Sequence, residues 1–365
     1  MPLSCGIVGL ANTGKTTLFN CISNTRAQAS AFAFSQSKSN IGQINVPDER
    51  LYKLDELIHS AKIVHTTVEI VDIPGLAKGS SKGEGVGNAF LNDIRNVDAL
   101  IHVLRCFDDD QLQHIEGSVD PVRDREILDL ELQVKDLESV DKKIHKYEKL
   151  LKIGDKDAKH GLEILTKYKD HLENFQSART CPVDKKDKIY IQDMCLLTDK
   201  PVMYVCNVDD KSAVTGNKYT QAVIDSLKDE KADILIIAGA LESEINELES
   251  KDDRLAFLQD VGLSEPGVNK LVRSAYSLLN MQTFFTAGPK EIKAWTIKKG
   301  MTAPQAAGVI HSDIERGFIR AEVMKYNDLI TLKTEHACRE AGKLYVEGKN
   351  YVMEDGDIIH IRFNV

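Results

Sequence analysis

The chain has 365 residues, of which 42% are hydrophobic and 28% charged, and a formal net charge of −9. This length permits two or three globular domains with a substantial core. No apolar run approaches a membrane span, and the first residues lack the features of a signal peptide, so we expect a cytoplasmic protein with no membrane partner. The charge excludes a general attraction to nucleic acid: sequence-specific DNA is not expected, and any RNA contact needs a local basic surface.

The seven cysteines are odd in number, scattered along the chain and without a C-x-x-C pair. Such spacing suggests neither a disulfide framework nor a zinc site. We interpret them as reduced and mostly buried thiols.

Short apolar runs alternate with helix-like segments from Ser4 to about Arg123. The runs CGIVGL, TVEIVDI and ALIHVLRC predict buried strands, and the same texture resumes at residues 201–208 and 232–240. Near-continuous hydrophobicity is typical of a mostly parallel sheet that is covered on both faces. We therefore predict a doubly wound α/β domain formed by residues 1–125 and 200–279.

The segment between these two parts, residues 126–199, loses the strand signal and gains charge. Apolar residues recur there at spacings of three and four, as on one stripe of each of two helices. The first stripe contains Ile127, Leu130, Val134, Leu137, Val140, Ile144, Tyr147 and Leu151, and the second contains Leu162, Leu165, Tyr168, Leu172 and Phe175. A polar turn joins them, which predicts an inserted antiparallel α-helical coiled coil. The pattern leaves open whether this insertion covers the sheet edge or projects toward a partner.

The last segment, residues 280–365, has a third texture. EIKAWTI, GFIRAEVM and IIHIRFNV predict strands, and TAPQAAGVIHSDI predicts a helix with Pro304 in its first turn. A small mixed β/α domain follows from this order.

Residues 9–16, GLANTGKT, fit the phosphate-binding motif G-x-x-x-x-G-K-[ST] and lie between a predicted strand and a predicted helix. The glycines let successive N–H groups point at phosphate oxygens, and the helix adds its positive N-terminal end. Lys15 would bridge the β- and γ-phosphates and assist catalysis, and Thr16 offers a hydroxyl to Mg²⁺. The residues that we predict to bind nucleotide here are Asn12, Thr13, Gly14, Lys15, Thr16 and Thr17.

Two further motifs end apolar strands. Asp72 and Gly75 form D-x-x-G, in which the carboxylate holds Mg²⁺ through water and the glycine N–H senses a γ-phosphate. Asn207, Val208 and Asp210 occupy the place of the guanine-reading motif N-K-x-D, with valine in place of the lysine. The residues alone therefore leave the nucleotide base open.

The whole set of motifs resembles the Obg-related ATPase family called YchF, or Obg-like ATPase 1 in eukaryotes. Besides the three motifs, the resemblance rests on VDIPGLAKGSSKGEGVGNAFL, HVLRCFDDD, ALESEI, TFFTAGPKEIKAWTI, IHSDIERGFIRAEV and DGDIIHIRFNV, and it covers nearly the whole chain. It implies a Ras-like P-loop NTPase domain, an inserted coiled coil and a C-terminal TGS domain with a ubiquitin-like β-grasp fold. It also implies slow Mg²⁺-dependent hydrolysis of ATP in preference to GTP, binding to the ribosome through its large subunit in translation or stress responses, and a monomer.

The resemblance implies a substitute for the water-orienting glutamine of Ras-like proteins, because Leu76 occupies that position and can neither donate nor accept a hydrogen bond. In the family, a histidine on a mobile loop is suspected to orient the water, and His114 in QLQHIEG matches it. The alternative is a solvent-exposed loop histidine without a role.

Two departures from the family pattern concern the metal and the base. Gln36 stands where the family has a threonine ligand of Mg²⁺; its carbonyl oxygen, Ser35 or Ser37 are the available substitutes, and impaired hydrolysis is one expected consequence. Asp210 stands where family members commonly have glutamate, which brings the site closer to a guanine reader. Asn207, which can pair with the adenine edge, is retained, so ATP stays the expected nucleotide and GTP the alternative. The P-loop departures, Ala11 and Thr13, leave the glycines and Lys15 in place.

Three functions remain open at this point: a slow ATPase, a non-catalytic module whose nucleotide occupancy changes its affinity for a ribosomal partner, and a GTPase of the same fold. Two lysine-bearing segments, residues 78–85 and the lysines from Lys142 to Lys152, are candidates for RNA contact. A solvated charged face is the alternative interpretation of both.

Overall fold

The computed structural model describes residues 3–24, 39–75 and 86–364, without the side chains of Asn24 and of residues 86–89. Within these ranges the strands are β1 (Ser4–Val8), β2 (Asn40–Asn45), β3 (Ile63–Val64), β4 (Thr67–Asp72), β5 (Ala99–Arg105), β6 (Val202–Asn207), β7 (Ile234–Ile237), β8 (Met281–Ala287), β9 (Ile292–Lys298), β10 (Phe318–Lys325), β11 (Leu344–Glu347) and β12 (Asp357–Phe363).

The helices of the same ranges are α1 (Lys15–Asn24), α2 (Glu49–Ile58), α3 (Val86–Asn96), α4 (Pro121–Lys152), α5 (Ala158–Glu173), α6 (Ile189–Gln192), α7 (Lys218–Ser226), α8 (Gly239–Glu247), α9 (Lys251–Asp260), α10 (Gly267–Leu278), α11 (Ala303–Ile310), α12 (Ser312–Arg316), α13 (Tyr326–Leu332) and α14 (Glu335–Glu340). The chain forms two compact units, one made of residues 1–42 and 69–271 and the other of residues 43–68 and 272–365.

The first unit contains a six-stranded sheet with the order β2-β4-β1-β5-β6-β7. The pairs β1–β4, β1–β5, β5–β6 and β6–β7 are parallel, and every residue of β1, β5 and β6 is buried. This confirms the α/β class and the parallel sheet that the continuous apolar runs predict. Because the carboxyl ends of parallel strands meet at one edge, the loops that follow β1, β4, β5 and β6 converge there.

Helix α4 begins earlier than the predicted insertion. Asp120 caps its N-terminus by accepting from the amide of Arg123, and Pro121 occupies the first turn. Leu128 and Leu132 of this proximal part pack in the sheet core of the first unit. The apolar stripe of this one helix therefore packs in two different cores, the sheet core and the core of the hairpin.

The distal part of α4 forms a helical hairpin with α5, which has a core of its own around Val140, Leu165 and Tyr168. Gln133 contacts Phe175 and Asp141 contacts Lys169, so residue numbers fall on one helix as they rise on the other. The two helices are therefore antiparallel, as the sequence predicts, and their coiling stays a prediction. Phe175, placed on the apolar stripe, lies beyond the end of α5 and is 74% exposed.

The second unit contains a mixed sheet with the order β11-β10-β12-β8-β9-β3. Hairpin β8–β9 and the pairs β10–β11 and β10–β12 are antiparallel, whereas β12–β8 and β3–β9 are parallel. Helix α11 packs on one face through Ala303, Ala306 and Ala307. A mixed sheet crossed by a helix agrees with the predicted β-grasp domain. The single helix predicted over residues 302–314 is two helices in the structure, because the extended backbone of His311 separates α11 from α12.

Residues 43–68, which the sequence places in the nucleotide domain, fold within the second unit. Leu51 and Leu54 of α2 are fully buried against Phe285, Ile292 and neighbouring residues, and β3 extends the sheet beside β9. The apolar side of α2 therefore packs in the core of the second unit and not in that of the first. The remaining predicted domain boundaries stay predictions.

Among the described residues, no helix combines the length and apolar character needed to cross a bilayer. The seven cysteines all lie in the described ranges, and none of them is in a disulfide; Cys195 alone among them is exposed.

Candidate nucleotide-binding site

The phosphate-binding motif forms the connection between β1 and α1. Its backbone takes positive φ at Gly9, Asn12 and Gly14, with values of 151°, 62° and 92°. Helix α1 begins at Lys15, and its first backbone bond runs from the amide of Leu18 to the carbonyl of Gly14. The amides of the first turn, which belong to the motif residues 15–17, have no partner within the helix. This arrangement binds anions.

Gly14 and Asn207 meet across 193 residues of sequence. A Cβ atom at Gly14 would lie 2.1 Å from the Asn207 side-chain nitrogen, so no other residue fits there without displacement. Asn207 donates to the carbonyl of Thr13 at 2.9 Å and accepts from the amide of Gly239 at 2.9 Å. One buried amide side chain therefore ties the phosphate loop to the end of β6 and to the start of α8.

Lys15 places a buried ammonium group at the start of α1. Its ammonium group donates to the carbonyl of Leu10 at 2.6 Å. Burial lowers the pKa of Lys15 to about 8, while the charge of Asp72 acts in the opposite direction. A Cβ atom on Gly75 would stand 2.9 Å from this ammonium, so the D-x-x-G segment approaches the phosphate loop closely.

Thr16 and Asp72 form the predicted metal pair. The Thr16 hydroxyl donates to Asp72 Oδ2 at 3.0 Å. Asp72 Oδ1 is buried and has no hydrogen-bond partner among the described residues. Burial raises the pKa of Asp72, and the nearby Thr16, Lys15 and Asn40 work against that rise. A hydroxyl beside a carboxylate with an unused oxygen fits a hard divalent cation such as Mg²⁺.

The residues predicted to read the base differ in accessibility. Val208 is buried in the sheet core, and its amide donates to the carbonyl of Ile237. Asp210 is exposed and begins a short 3₁₀ turn, with Asp209 as the cap of that turn. The Asp210 carboxylate makes no hydrogen bond or ion pair within the described chain, so it is available to a ligand, whereas Asn207 already holds two protein partners.

His114 is buried, at 6% exposure, so the interpretation as a solvent-exposed histidine is wrong. Its Nε2 lies 2.8 Å from Asp124 Oδ2, and its Nδ1 accepts from the amide of Glu116 at 3.1 Å. Since Nδ1 accepts, the proton sits on Nε2 and is donated to the carboxylate. Asp124 also pairs with Arg123 at 2.9 Å. His114 is thus held by the first turns of α4, and the neighbouring carbonyl of Gln113 accepts from Asn12 in the phosphate loop at 3.2 Å.

Arg105 organises the same loop, and the sequence analysis did not predict this role. It ends β5, is 1% exposed, and its guanidinium donates to the carbonyls of Phe107, Asp109 and Leu112 at 2.8–3.2 Å. The ring of Phe107 lies 4.7 Å from the guanidinium carbon. The sequence does contain a sign of this role, because Arg105 is a charged residue at the end of an otherwise apolar strand.

The structure thus brings together the phosphate loop, Asp72, Gly75 and Asn207 at the carboxyl edge of one sheet. Thr17, like Thr16, is exposed on the first turn of α1. Gln36, Leu76 and the segment 78–85 lie outside the described residues.

Two family models match the chain. The C-terminal model of the YchF GTPase family, described as a protein of unknown function, matches residues 281–364. A model described as a 50S ribosome-binding GTPase matches residues 4–151.

Several curated relatives are similar over their whole length. Ribosome-binding ATPase YchF of Bacillus subtilis is 46% identical over 367 residues, and that of Escherichia coli O157:H7 is 44% identical over 365 residues; each match covers 100% of both chains. The solved structure of the Schizosaccharomyces pombe YchF GTPase is 35% identical, with a TM-score of 0.88 over 99% of this chain and 97% of that one.

Proposed function

Since the chain belongs to the YchF family of P-loop nucleotide hydrolases, we propose that it is a ribosome-binding, Mg²⁺-dependent ATPase with slow intrinsic hydrolysis. Its nucleotide state would switch its affinity for the ribosome in translation or stress responses. The observation that carries the proposal is the convergence of Lys15, Thr16 and Asp72 at one sheet edge.

The phosphates would bind along the phosphate loop and the first turn of α1. The free amides there and the positive helix end attract the anion, and Lys15 exchanges the Leu10 carbonyl for phosphate oxygens. That exchange is favourable because a buried ammonium gains a charged partner in place of a neutral one. Thr16 and Asp72 would hold Mg²⁺, which supplies neutralisation of the charge that develops on the phosphate oxygens.

Water would be oriented by His114. In the described conformation the Nε2–H of His114 donates to Asp124, so the imidazole must leave that carboxylate, or act through an adjacent group, before it serves the nucleotide. This requirement is a physical reason for slow hydrolysis by the isolated chain. The catalytic groups that we propose are therefore Lys15 and His114.

ATP is the nucleotide that we propose, with GTP as the second candidate. Two facts favour ATP: Val208 stands in place of the lysine of the guanine motif, and the bacterial relatives are named ATPases. The unpartnered carboxylate of Asp210 favours GTP, because a carboxylate can accept from guanine N1–H and N2–H₂, and the fission-yeast structure is described as a GTPase.

The test is a calorimetric titration of nucleotide-free protein with ATP and with GTP, each with Mg²⁺, repeated on Asp210→Ala. We expect ATP to bind at least about tenfold more tightly, since one good paired contact to a base discriminates by about 1–3 kcal/mol. Asp210→Ala should leave ATP affinity within about twofold. Tighter GTP that is lost in Asp210→Ala would replace the ATPase assignment by a GTPase.

We propose the ribosome as the partner because the bacterial relatives are named ribosome-binding ATPases, and the match of residues 4–151 to a family of 50S ribosome-binding GTPases supports the large subunit. We propose that the protein acts in the cytoplasm, where such a partner is found, and that it acts as a monomer. Phosphate release measured with and without purified ribosomes separates the enzyme from a non-catalytic nucleotide-binding module.

A further inference from the structure

The distal half of α4 carries a row of exposed lysines. Residues 142–152 contain five lysines and one glutamate, although the whole chain has a net charge of −9. Lys142, Lys146, Lys149 and Lys152 are exposed, and none forms a salt bridge with a described carboxylate. The fifth, Lys143, is paired with Asp193, whose charge also lies near Lys146.

Three of these exposed lysines, Lys142, Lys146 and Lys149, lie on one side of the helix, and we call them the lysine row. At 100° per residue, Lys142, Lys146 and Lys149 fall within about 60° of one another and span about 10 Å along the axis. The apolar residues Ile144 and Tyr147 pack in the hairpin core and lie about 130–170° from the middle of these three lysines. The lysines therefore point away from α5.

The acidic residues around the hairpin turn are already engaged. Asp141 is paired with Lys169 at 2.8 Å, and Glu148 contacts His145 at 3.1 Å. Asp155 accepts from the amides of Asp157 and Ala158. Asp193, whose charge acts on Lys146, is itself paired with Lys143. The net positive charge of the row is therefore presented to solvent or to a partner.

We propose that this lysine row on α4 is an RNA-contacting surface that binds the phosphate backbone of ribosomal RNA. The inference rests on the proposed ribosome binding and assigns that binding to a place. Lysine is a flexible point charge and so suits a phosphate chain better than a shape-specific protein pocket. Flexible cations that share one helix face and lack carboxylate partners release counterions from RNA when they bind.

The test compares two triple variants of the full chain. Lys142→Gln with Lys146→Gln and Lys149→Gln removes three charges from the row. The matched control, Lys167→Gln with Lys185→Gln and Lys186→Gln, removes three exposed charges from the same insertion outside α4. Glutamine keeps helix propensity close to that of lysine, so both variants should fold, which thermal unfolding checks.

Affinity for purified ribosomes is measured by co-sedimentation at several salt concentrations, with ATP affinity measured in parallel. The row variant should bind at least about tenfold more weakly at low salt, and its slope of log affinity against log salt should fall by about two to three. The control variant should keep the wild-type slope, and both should keep wild-type ATP affinity.

Three results would overturn the inference. Wild-type affinity and slope in the row variant would exclude the row from the contact. Weaker binding with an unchanged slope would indicate a protein contact instead of phosphate. A wild-type chain that does not bind ribosomes would overturn the ribosomal part of the proposed function together with the inference, whereas the first two results leave that function intact.

Discussion

Lys15 is the residue whose ionisation matters most for ligand binding. Its ammonium is buried beside Leu10 and has a pKa of about 8 in the free protein because burial disfavours the charged form. A polyphosphate ligand favours the charged form, so the pKa of Lys15 rises when nucleotide binds. The pH dependence of affinity follows from this difference.

We expect the affinity for Mg·ATP to be constant below about pH 7.5 and to fall above pH 8, by up to about tenfold per pH unit. The sign follows because free Lys15 loses its proton above pH 8, and binding must then restore it. Calorimetry in two buffers of different ionisation enthalpy should detect proton uptake at pH 8.5 and little at pH 7. A flat profile from pH 7 to pH 9.5 would contradict the burial effect.

The elements around the site differ in how far sequence predicts them. The phosphate loop and α1 follow from a local pattern, since glycine spacing, Lys15 and the helix start lie within ten residues. The loop between β5 and α4 does not, because it is shaped by Arg105, by Asn12 and by Asp124, which come from three different parts of the chain. Likewise, sequence placed Asn207 near the base but gave no sign of its bond to Thr13.

His114 in this loop supports a prediction with three separable readouts. His114→Ala should lower the turnover of ATP while nucleotide affinity stays nearly intact. It should also lower the free energy of unfolding by about 1–3 kcal/mol, because Asp124 and the amide of Glu116 lose a buried partner. Single-turnover phosphate release, ATP titration and denaturant unfolding measure the three quantities.

Asp124→Asn is the matched control for that variant. Its carbonyl oxygen still accepts from His114 Nε2, so the imidazole keeps a hydrogen-bond partner but loses a charged one. If His114 must leave Asp124 to act, Asp124→Asn should retain or raise turnover. Unchanged turnover in His114→Ala would remove the histidine from the mechanism.

At the scale of the whole molecule, the second unit is discontinuous in sequence. Local apolar patterns place residues 1–125 in the nucleotide domain, since such patterns do not say against which core Leu51 and Leu54 are buried. The structure assigns them to the core of Phe285 and Ile292. Local apolar runs predict β1, β4 to β7, β9, β10 and β12. They do not predict the strands β2, β3, β8 and β11 or this long-range assembly.

Leu54→Ala tests the assignment. The loss of a fully buried leucine should cost about 2–5 kcal/mol of stability. Hydrogen exchange should accelerate in residues 43–68, β8 and β9, and stay unchanged in β5 and β6. Leu255→Ala, at a leucine that is 54% exposed, serves as the control and should change stability by less than about 0.5 kcal/mol. Faster exchange in β5 instead would place α2 with the first core.

Helix α4 also has a mechanical property. Asp124, which holds His114, lies in its first turn, and Lys152 ends it, about 42 Å away at 1.5 Å per residue. A rigid rod of that length turns a tilt of about 5° at the Asp124 end into a displacement of about 4 Å at the Lys152 end. If rearrangement of the bond between His114 and Asp124 tilts α4 by that angle, leverage alone moves the far end of the hairpin by about the diameter of an atom.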